Sequence, residues 1–425
     1  MMSGNPAAGP RVAPLTLAIG VSMTIGYGTL YYPFAILGPE IARDLGWTNS
    51  FVFGVFSFAL LSSAYTASVA GRMIDRYGAR PVMMAGSVCA ALSLVALSRV
   101  GAWPAFIAAM LMIEVSGRMA QYEAGFAALT AIHGQEARRH ITHVTLIAGF
   151  ASTVFWPLIH WLLSVMDWRG VCLVLAAINL LIAFPIHALI PRLPSGSKPE
   201  QPAADSAAPT EGTTQLTRLA ATGLLPEPER TRVFALMAVA FACGGFLMSA
   251  VHSSFFVILD LMGRDAALAA LAGAIIGPMQ VGARVVELLT GGKVASSLVG
   301  VISNATMLGG ILLLVAATGL PGSGLIIAFA ASFGIGQGLA FIARAVLPAR
   351  LFGTDGYGRV TGNLAAVRLL FTAAAPFLTA LVIARAGLSA AFALLIAMAV
   401  MGVAASLLLW WAEHRAGRQS ANPPT

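Results

Sequence analysis

The chain has 425 residues, of which 58% are hydrophobic and only 10% charged, with a formal net charge of +8. A water-facing domain carries roughly 25% charged residues, so this composition excludes a soluble globular protein. The apolar stretches are continuous rather than alternating, which excludes a transmembrane β-barrel and predicts an all-α, polytopic membrane protein.

The excess positive charge is no sign of nucleic-acid binding, because the cations gather in one set of alternate loops, as membrane topology demands. Residues 1–12 form a short N-terminal tail. The first apolar run, about Val12 to Leu37, is longer than the roughly 7–15 residues of a signal-peptide core and reads as an uncleaved first span. A span needs about 20 apolar residues. Twelve segments qualify, near 13–37, 50–71, 80–99, 103–131, 141–164, 170–190, 231–259, 265–290, 296–318, 321–346, 360–385 and 388–412. The loops after even-numbered spans carry most of the Lys and Arg, Arg72, Arg76, Arg80, Arg138 and Arg139 among them. This places both termini in the cytoplasm, with residues 413–425 as the C-terminal tail. Residues 191–230 are rich in Pro, Ser, Thr and Ala and lack a sustained apolar run. They read as a cytoplasmic linker with one surface helix, Thr214 to Leu225, separating a bundle of six helices (13–190) from a second (231–412). Cys89, Cys172 and Cys243 lie inside apolar runs and read as small hydrophobes, not as a disulfide or metal set. No metal-ligand cluster, phosphate loop or nucleophile elbow is visible, so no cofactor and no enzymatic activity are expected. Gly334 to Gly338 sits inside the tenth span and reads as close helix packing.

The loop Gly71-Arg72-Met73-Ile74-Asp75-Arg76-Tyr77-Gly78-Ala79-Arg80 joins the second and third spans. Its pattern G-x-x-x-D-R-x-G-x-R resembles the signature loop of the major facilitator superfamily of secondary transporters. The resemblance implies two pseudo-symmetric six-helix bundles around a site near the midplane. It also implies that Gly71, Asp75, Arg76, Gly78 and Arg80 act as a conformational latch favouring the outward-open state. Leu45-Gly46-Trp47-Thr48, ahead of the second span, is similar to the monocarboxylate and oxalate/formate porter branch. The fifth span has one Gly and one Pro but lacks the paired glycine pattern of drug antiporters.

Ionisable side chains inside a membrane are costly and usually face a cavity or a partner. Glu114 and Arg118 lie four apart on one face of the fourth span. The run Arg118-Met119-Ala120-Gln121 resembles the family motif R-x-x-Q-G, with Tyr122 in place of the glycine. The resemblance ties this arginine to coupling or gating; a helix-packing ion pair is the plainer reading. In the eighth span, Arg284 has a guanidinium fork that suits a carboxylate, as in monocarboxylate porters. A gate pair with Glu287 is its alternative. Tyr27, Tyr31 and Tyr32 offer hydroxyls for a pocket; for Tyr31 and Tyr32, anchoring at the interface is the alternative. His252 and His160 are candidate proton carriers. Arg344 in the tenth span is the counterpart of Arg118, and Arg368 in the eleventh either faces the cavity or snorkels.

These features point to a multi-pass secondary transporter of a bacterial-type cytoplasmic membrane, expected to be monomeric. Its substrate would be a small organic anion such as a monocarboxylate, moved by alternating access, with proton coupling compatible. Proton-driven efflux of amphipathic drugs or metabolites is the rival within the class. A non-transporting membrane sensor is the rival outside it.

Overall fold

The computed structural model describes residues 14–192, 227–289, 295–320, 322–353 and 357–421. The proposed linker helix Thr214 to Leu225, the N-terminal tail and Gly291, Gly292 and Lys293 lie outside these residues. Among the described residues the secondary structure is helical throughout, with no strand. Nine helices among these residues are long and apolar enough to cross a membrane. They are Asn49–Tyr77 (span 2), Ala79–Ser98 (span 3), Arg139–Leu163 (span 5), Trp168–Ala188 (span 6), Glu229–Leu261 (span 7), Ala266–Glu287 (span 8), Ser296–Ala316 (span 9), Gly324–Phe352 (span 10) and Arg359–Arg415. The last is two helices in series, since Gly387 takes φ 81° and turns the chain between spans 11 and 12. Only glycine adopts this left-handed geometry without strain. The segments expected as spans 1 and 4 are broken helices among the described residues.

Span 1 runs Pro14–Leu30, turns, and resumes as Phe34–Asp44, seven residues beyond the expected end at Leu37. Pro33 has no N–H to continue the ladder. Ile36 N bonds to Pro33 O (3.0 Å), which frees the Tyr32 carbonyl, and the Trp156 indole donates to it at 3.0 Å. The helix passes through Pro39 in its second turn. Span 4 runs Trp103–Ala120 and Tyr122–His133. Gln121 between them is extended (φ −97°, ψ −153°), and its side-chain amide donates to Gly26 O at 3.2 Å. The break in span 4 is thus held against span 1, and the break in span 1 against span 5.

Other ends follow local chemistry. Thr48 caps span 2 by accepting from Phe51 N (3.2 Å), and Asp167 caps span 6 by accepting from Gly170 N (2.8 Å). Gly78, at φ 84°, closes span 2 and opens span 3. On the side opposite Gly78, Asp44 accepts from Arg169 and from the Trp168 indole, while Arg169 also reaches Val100 O at 3.2 Å. The Arg169 hydrogen bond, then that of Trp168, hold the Asp44 carboxyl below its ordinary value. A depressed carboxylate stabilises the fold above its unfolded value and loses that contribution as pH falls through the folded one. Asp44→Asn should therefore flatten the acid limb of a thermal-denaturation pH profile, with a small effect because the pair is solvated.

Among the described residues the first and second halves meet chiefly where span 5 packs on span 8 and span 2 on span 11, with span 1 also touching span 7. Spans 5 and 8 pack closely: Thr153 Oγ1 donates to Ala274 O at 2.8 Å, and a Cβ at Gly149 would meet Val281 at 2.6 Å. Spans 2 and 11 meet on the side away from Gly78, where Ser50 Oγ donates to Ala380 O (3.3 Å) and Phe377 N to Ser57 Oγ (2.9 Å). The glycine cluster of span 10 works as close packing. A Cβ at Gly334 would lie 2.6 Å from Ile276 O and one at Gly336 2.7 Å from Ser303 O. Backbone atoms cannot swing aside, so Gly334→Ala should destabilise by about 1–3 kcal/mol, read as a lower Tm of the purified protein. An unchanged Tm would mean spans 8 and 10 part easily.

Candidate functional site

A cavity of about 540 Å³ lies between the halves. Span 1 brings Tyr27, Tyr31 and Tyr32 to its wall, and span 4 brings Glu114, Arg118, Gln121 and Tyr122. Spans 7 and 8 add Ser249, His252 and Gln280; spans 10 and 11 add Gln337, Phe341, Arg344, Arg368 and Thr372. The two helix breaks create this wall on the first-half side. The turn at Tyr31–Pro33 sets adjacent tyrosines into the cavity, and the extended Gln121 lets Tyr122 meet Tyr27, ring centres 4.7 Å apart.

The lining is uneven along the membrane normal. On the Gly78 side it reaches Pro348, one turn from the end of span 10, and Thr361, one turn into span 11. On the other side it stops at Tyr32, Ile113, His252 and Thr372, and the span 2–span 11 hydrogen bonds lie beyond. The cavity is thus reached from the side bearing the Gly71–Arg80 loop. Asp75 and Arg76 are exposed there, Arg76 resting on the Tyr77 ring (5.2 Å), and Asp75 makes no ion pair among the described residues.

Among the described residues the wall carries three arginines against one carboxylate. Arg118 Nη2 lies 3.4 Å from Glu114 Oε2, so the pair expected from the i, i+4 spacing forms, though longer than the roughly 2.7–2.9 Å of a tight charged hydrogen bond. Arg344 Nε donates to Ala340 O at 3.1 Å, and its Nη2 is buried without a partner. The Arg344 guanidinium packs over the Phe341 ring at 4.4 Å. Arg284 packs on the same ring at 4.2 Å. The structure therefore sets Arg284 against a wall residue rather than on the wall itself. It is 8% exposed, its Nη1 donates to Thr145 O at 3.2 Å, and its Nε and Nη2 are buried with no hydrogen-bond partner. The alternative pairing of Arg284 with Glu287 does not form; Arg284 bridges spans 8 and 5 instead.

Tyr27, Tyr31 and Tyr32 all line the cavity, so Tyr31 and Tyr32 are not interfacial anchors. His252 is 6% exposed among Tyr32 (5.3 Å), Trp156 (6.0 Å) and Tyr31 (6.3 Å). His160 is not part of the wall. Arg368 faces the cavity. Sequence reasoning missed Phe341, Gln280, Gln337 and Ser249. Neutral residues on long apolar helices carry no periodic signal against a lipid-facing or packed position.

A helical membrane protein with a polar, cation-rich cavity between its halves has the architecture of a solute carrier. Residues 17–303 match the model of the Major Facilitator Superfamily, and the chain belongs to that family. Members of the family are transporters rather than enzymes; the chain is a multi-pass membrane protein. It is 29% identical over 246 residues to monocarboxylate transporter 11 of Mus musculus, covering 56% of this chain and 48% of that protein. Over 154 residues it is 24% identical to monocarboxylate transporter 13 of Rattus norvegicus, covering 36% and 34%. The matches thus span about half and about a third of those relatives. In three dimensions it is similar to the nucleoside transporter NupG (TM-score 0.71, 12% identity, 94% of this chain and 99% of that one). It is also similar to a POT family transporter in complex with 5-aminolevulinic acid (TM-score 0.69, 13% identity, 95% and 96%). At these identities the likeness is one of fold alone.

Proposed function

We propose that the protein is a secondary active transporter of small organic anions, monocarboxylates foremost, working by alternating access. The observation that carries this is the cation excess of the cavity wall, with Arg284 behind it holding two unpaired N–H groups. In a medium of low dielectric constant an uncompensated guanidinium is costly, and a carboxylate that satisfies it is bound strongly and bidentately. The same wall opposes a lipophilic cation, which weighs against drug efflux. Similarity to two monocarboxylate transporters supports the same substrate class.

In this reading, residues 13–190 and 231–412 are two six-helix bundles that rock about the cavity. The conformer described is open on the latch side. Arg118, Glu114, Tyr27, Tyr31 and His252 bind substrate or couple its movement, and Arg284 receives the carboxylate. Gly71, Asp75, Arg76, Gly78, Arg80 and Glu287 form the latch that engages when that side shuts. The Lys and Arg bias of the loops supports a cytoplasmic position for that side and for both termini, in a cell with an inner membrane; a monomer is what the family resemblance suggests.

Ligand-induced thermal stabilisation tests the substrate class, since a ligand that binds the native state raises its apparent stability. The panel holds acetate, pyruvate, lactate, dicarboxylates, zwitterions and lipophilic cations. Stabilisation by the monocarboxylates is expected. Stabilisation by lipophilic cations alone would replace this reading with drug efflux.

A further inference from the structure

We propose that a small cavity between spans 7, 9, 10 and 12 holds one ordered water joining Asn304 to Arg344, and that Asn304 is thereby a positioning residue for the anion site. The positioning role rests on the reading of the large cavity as an organic-anion site; the water does not.

This second cavity, of about 20 Å³, lies within the second half, beside the large one. Arg344 borders both, whereas Asn304 borders only the small one. Asn304 is 7% exposed. Its Nδ2 donates to Gly300 O at 3.2 Å and to Ser406 Oγ at 2.9 Å. The Gly300 carbonyl can only accept, which fixes the orientation of the amide. Asn304 Oδ1 is then left buried with no hydrogen-bond partner. Arg344 Nη2 is a buried donor in the same position, while its Nε is held by Ala340 O and its face by Phe341. One orphaned acceptor and one orphaned donor thus belong to residues that border a single small space.

A buried polar atom left unbonded costs more than an ordinary hydrogen bond returns. A site needs roughly 10–15 Å³ of such space, and two or more polar partners, to take a water. The small cavity meets both conditions. A water there accepts from the guanidinium, donates to Oδ1, and has the Ser406 hydroxyl beside it. Neither kind of ion fits as well: a cation would face the guanidinium and an anion the amide oxygen. Glycine keeps the space around Oδ1 open. A Cβ on Gly244 of span 7 would meet that oxygen at 3.7 Å and no other neighbour among the described residues within 4 Å. With the water in place, the Arg344 guanidinium is held at Nε, at Nη2 and across its face, so its other N–H groups keep one geometry. An anion that meets them has less to order on binding than one that meets a mobile arginine.

The test begins with Gly244→Ala in the full-length purified protein. Alanine suits a helix better than glycine and meets no clash at this position, so an unoccupied space predicts a raised Tm. Displacing a bridging water leaves Oδ1 and Nη2 unbonded, and the Tm should fall instead. A density map that shows ordered water should place one peak within hydrogen-bonding distance of both atoms. A Tm that is raised or unchanged, or a map without that peak, would overturn the inference. Asn304→Leu then tests the positioning role through pyruvate flux in proteoliposomes. The apparent KM should rise roughly three- to tenfold, the scale of one hydrogen bond, with Vmax per folded protein unchanged. A lower Vmax at unchanged KM is what a merely structural residue gives and would sink the positioning role. If Asn304→Leu does not fold, the KM of Gly244→Ala carries the same decision, because that change removes no hydrogen-bonding side chain. If the wild type neither binds nor moves any carboxylate, the anion reading fails and the positioning role with it, while the Tm and the map still decide the water.

Discussion

Arg284→Gln is expected to abolish carboxylate binding while leaving the protein folded. The guanidinium is 8% exposed and has one hydrogen bond, to Thr145 O, with two N–H groups unsatisfied. Removing a buried charge that has no counter-ion takes away a desolvation penalty rather than a stabilising pair. The free protein should thus keep its Tm or gain slightly. The anion complex, by contrast, loses one partner of a desolvated charge pair, a loss of about 2–5 kcal/mol. At about 1.4 kcal/mol per decade, that is roughly a thirtyfold or greater fall in affinity. Arg284→Lys should fail nearly as badly, because a point charge does not reproduce the planar fork or the stacking on Phe341. Isothermal titration with pyruvate reads both variants. Binding retained in Arg284→Lys would remove Arg284 from the anion site and leave it as a tie between spans 5 and 8.

The second large effect is expected at Asp75. In the conformer described, this carboxylate is exposed and makes no ion pair among the described residues, on the side from which the cavity is reached. Its partner would be met only when that side closes. Asp75→Asn should therefore leave pyruvate affinity of the latch-side-open protein unchanged and slow turnover by making closure less favourable. A partly buried charge pair of about 1.4 kcal/mol shifts the closed population about tenfold. Flux in proteoliposomes should fall by about that factor. Equal losses in affinity and flux would move Asp75 from the latch to the site or to the fold.

Much of the architecture could be read from the residues because lipid imposes a strong and simple pattern. Runs of about 20 apolar residues mark helices, and the Gly71–Arg80 loop fixes the register between spans 2 and 3. The Glu114–Arg118 pair was legible because i, i+4 spacing on one helix is a local property. The breaks were harder. Pro33 is visible, yet the helix also runs through Pro39, so proline by itself does not say where span 1 stops. Gln121 breaks span 4 with neither Pro nor Gly beside it; its amide is held by Gly26 O, a contact 95 residues away in sequence. Arg284 illustrates the limit for the site. Its helix and charge were evident, but its place against Phe341 and the Thr145 carbonyl depends on how spans 5, 8 and 10 pack. No local pattern encodes that.

Counterflow of labelled pyruvate in proteoliposomes, with no imposed gradient, tests the central claim most directly. A transporter with an anion site reached alternately from either side should exchange external label for unlabelled pyruvate inside, transiently accumulating it. That exchange should be lost in Arg284→Gln. Pyruvate binding without counterflow would contradict the account and make the protein a sensor; counterflow that survives Arg284→Gln would place the anion elsewhere in the cavity.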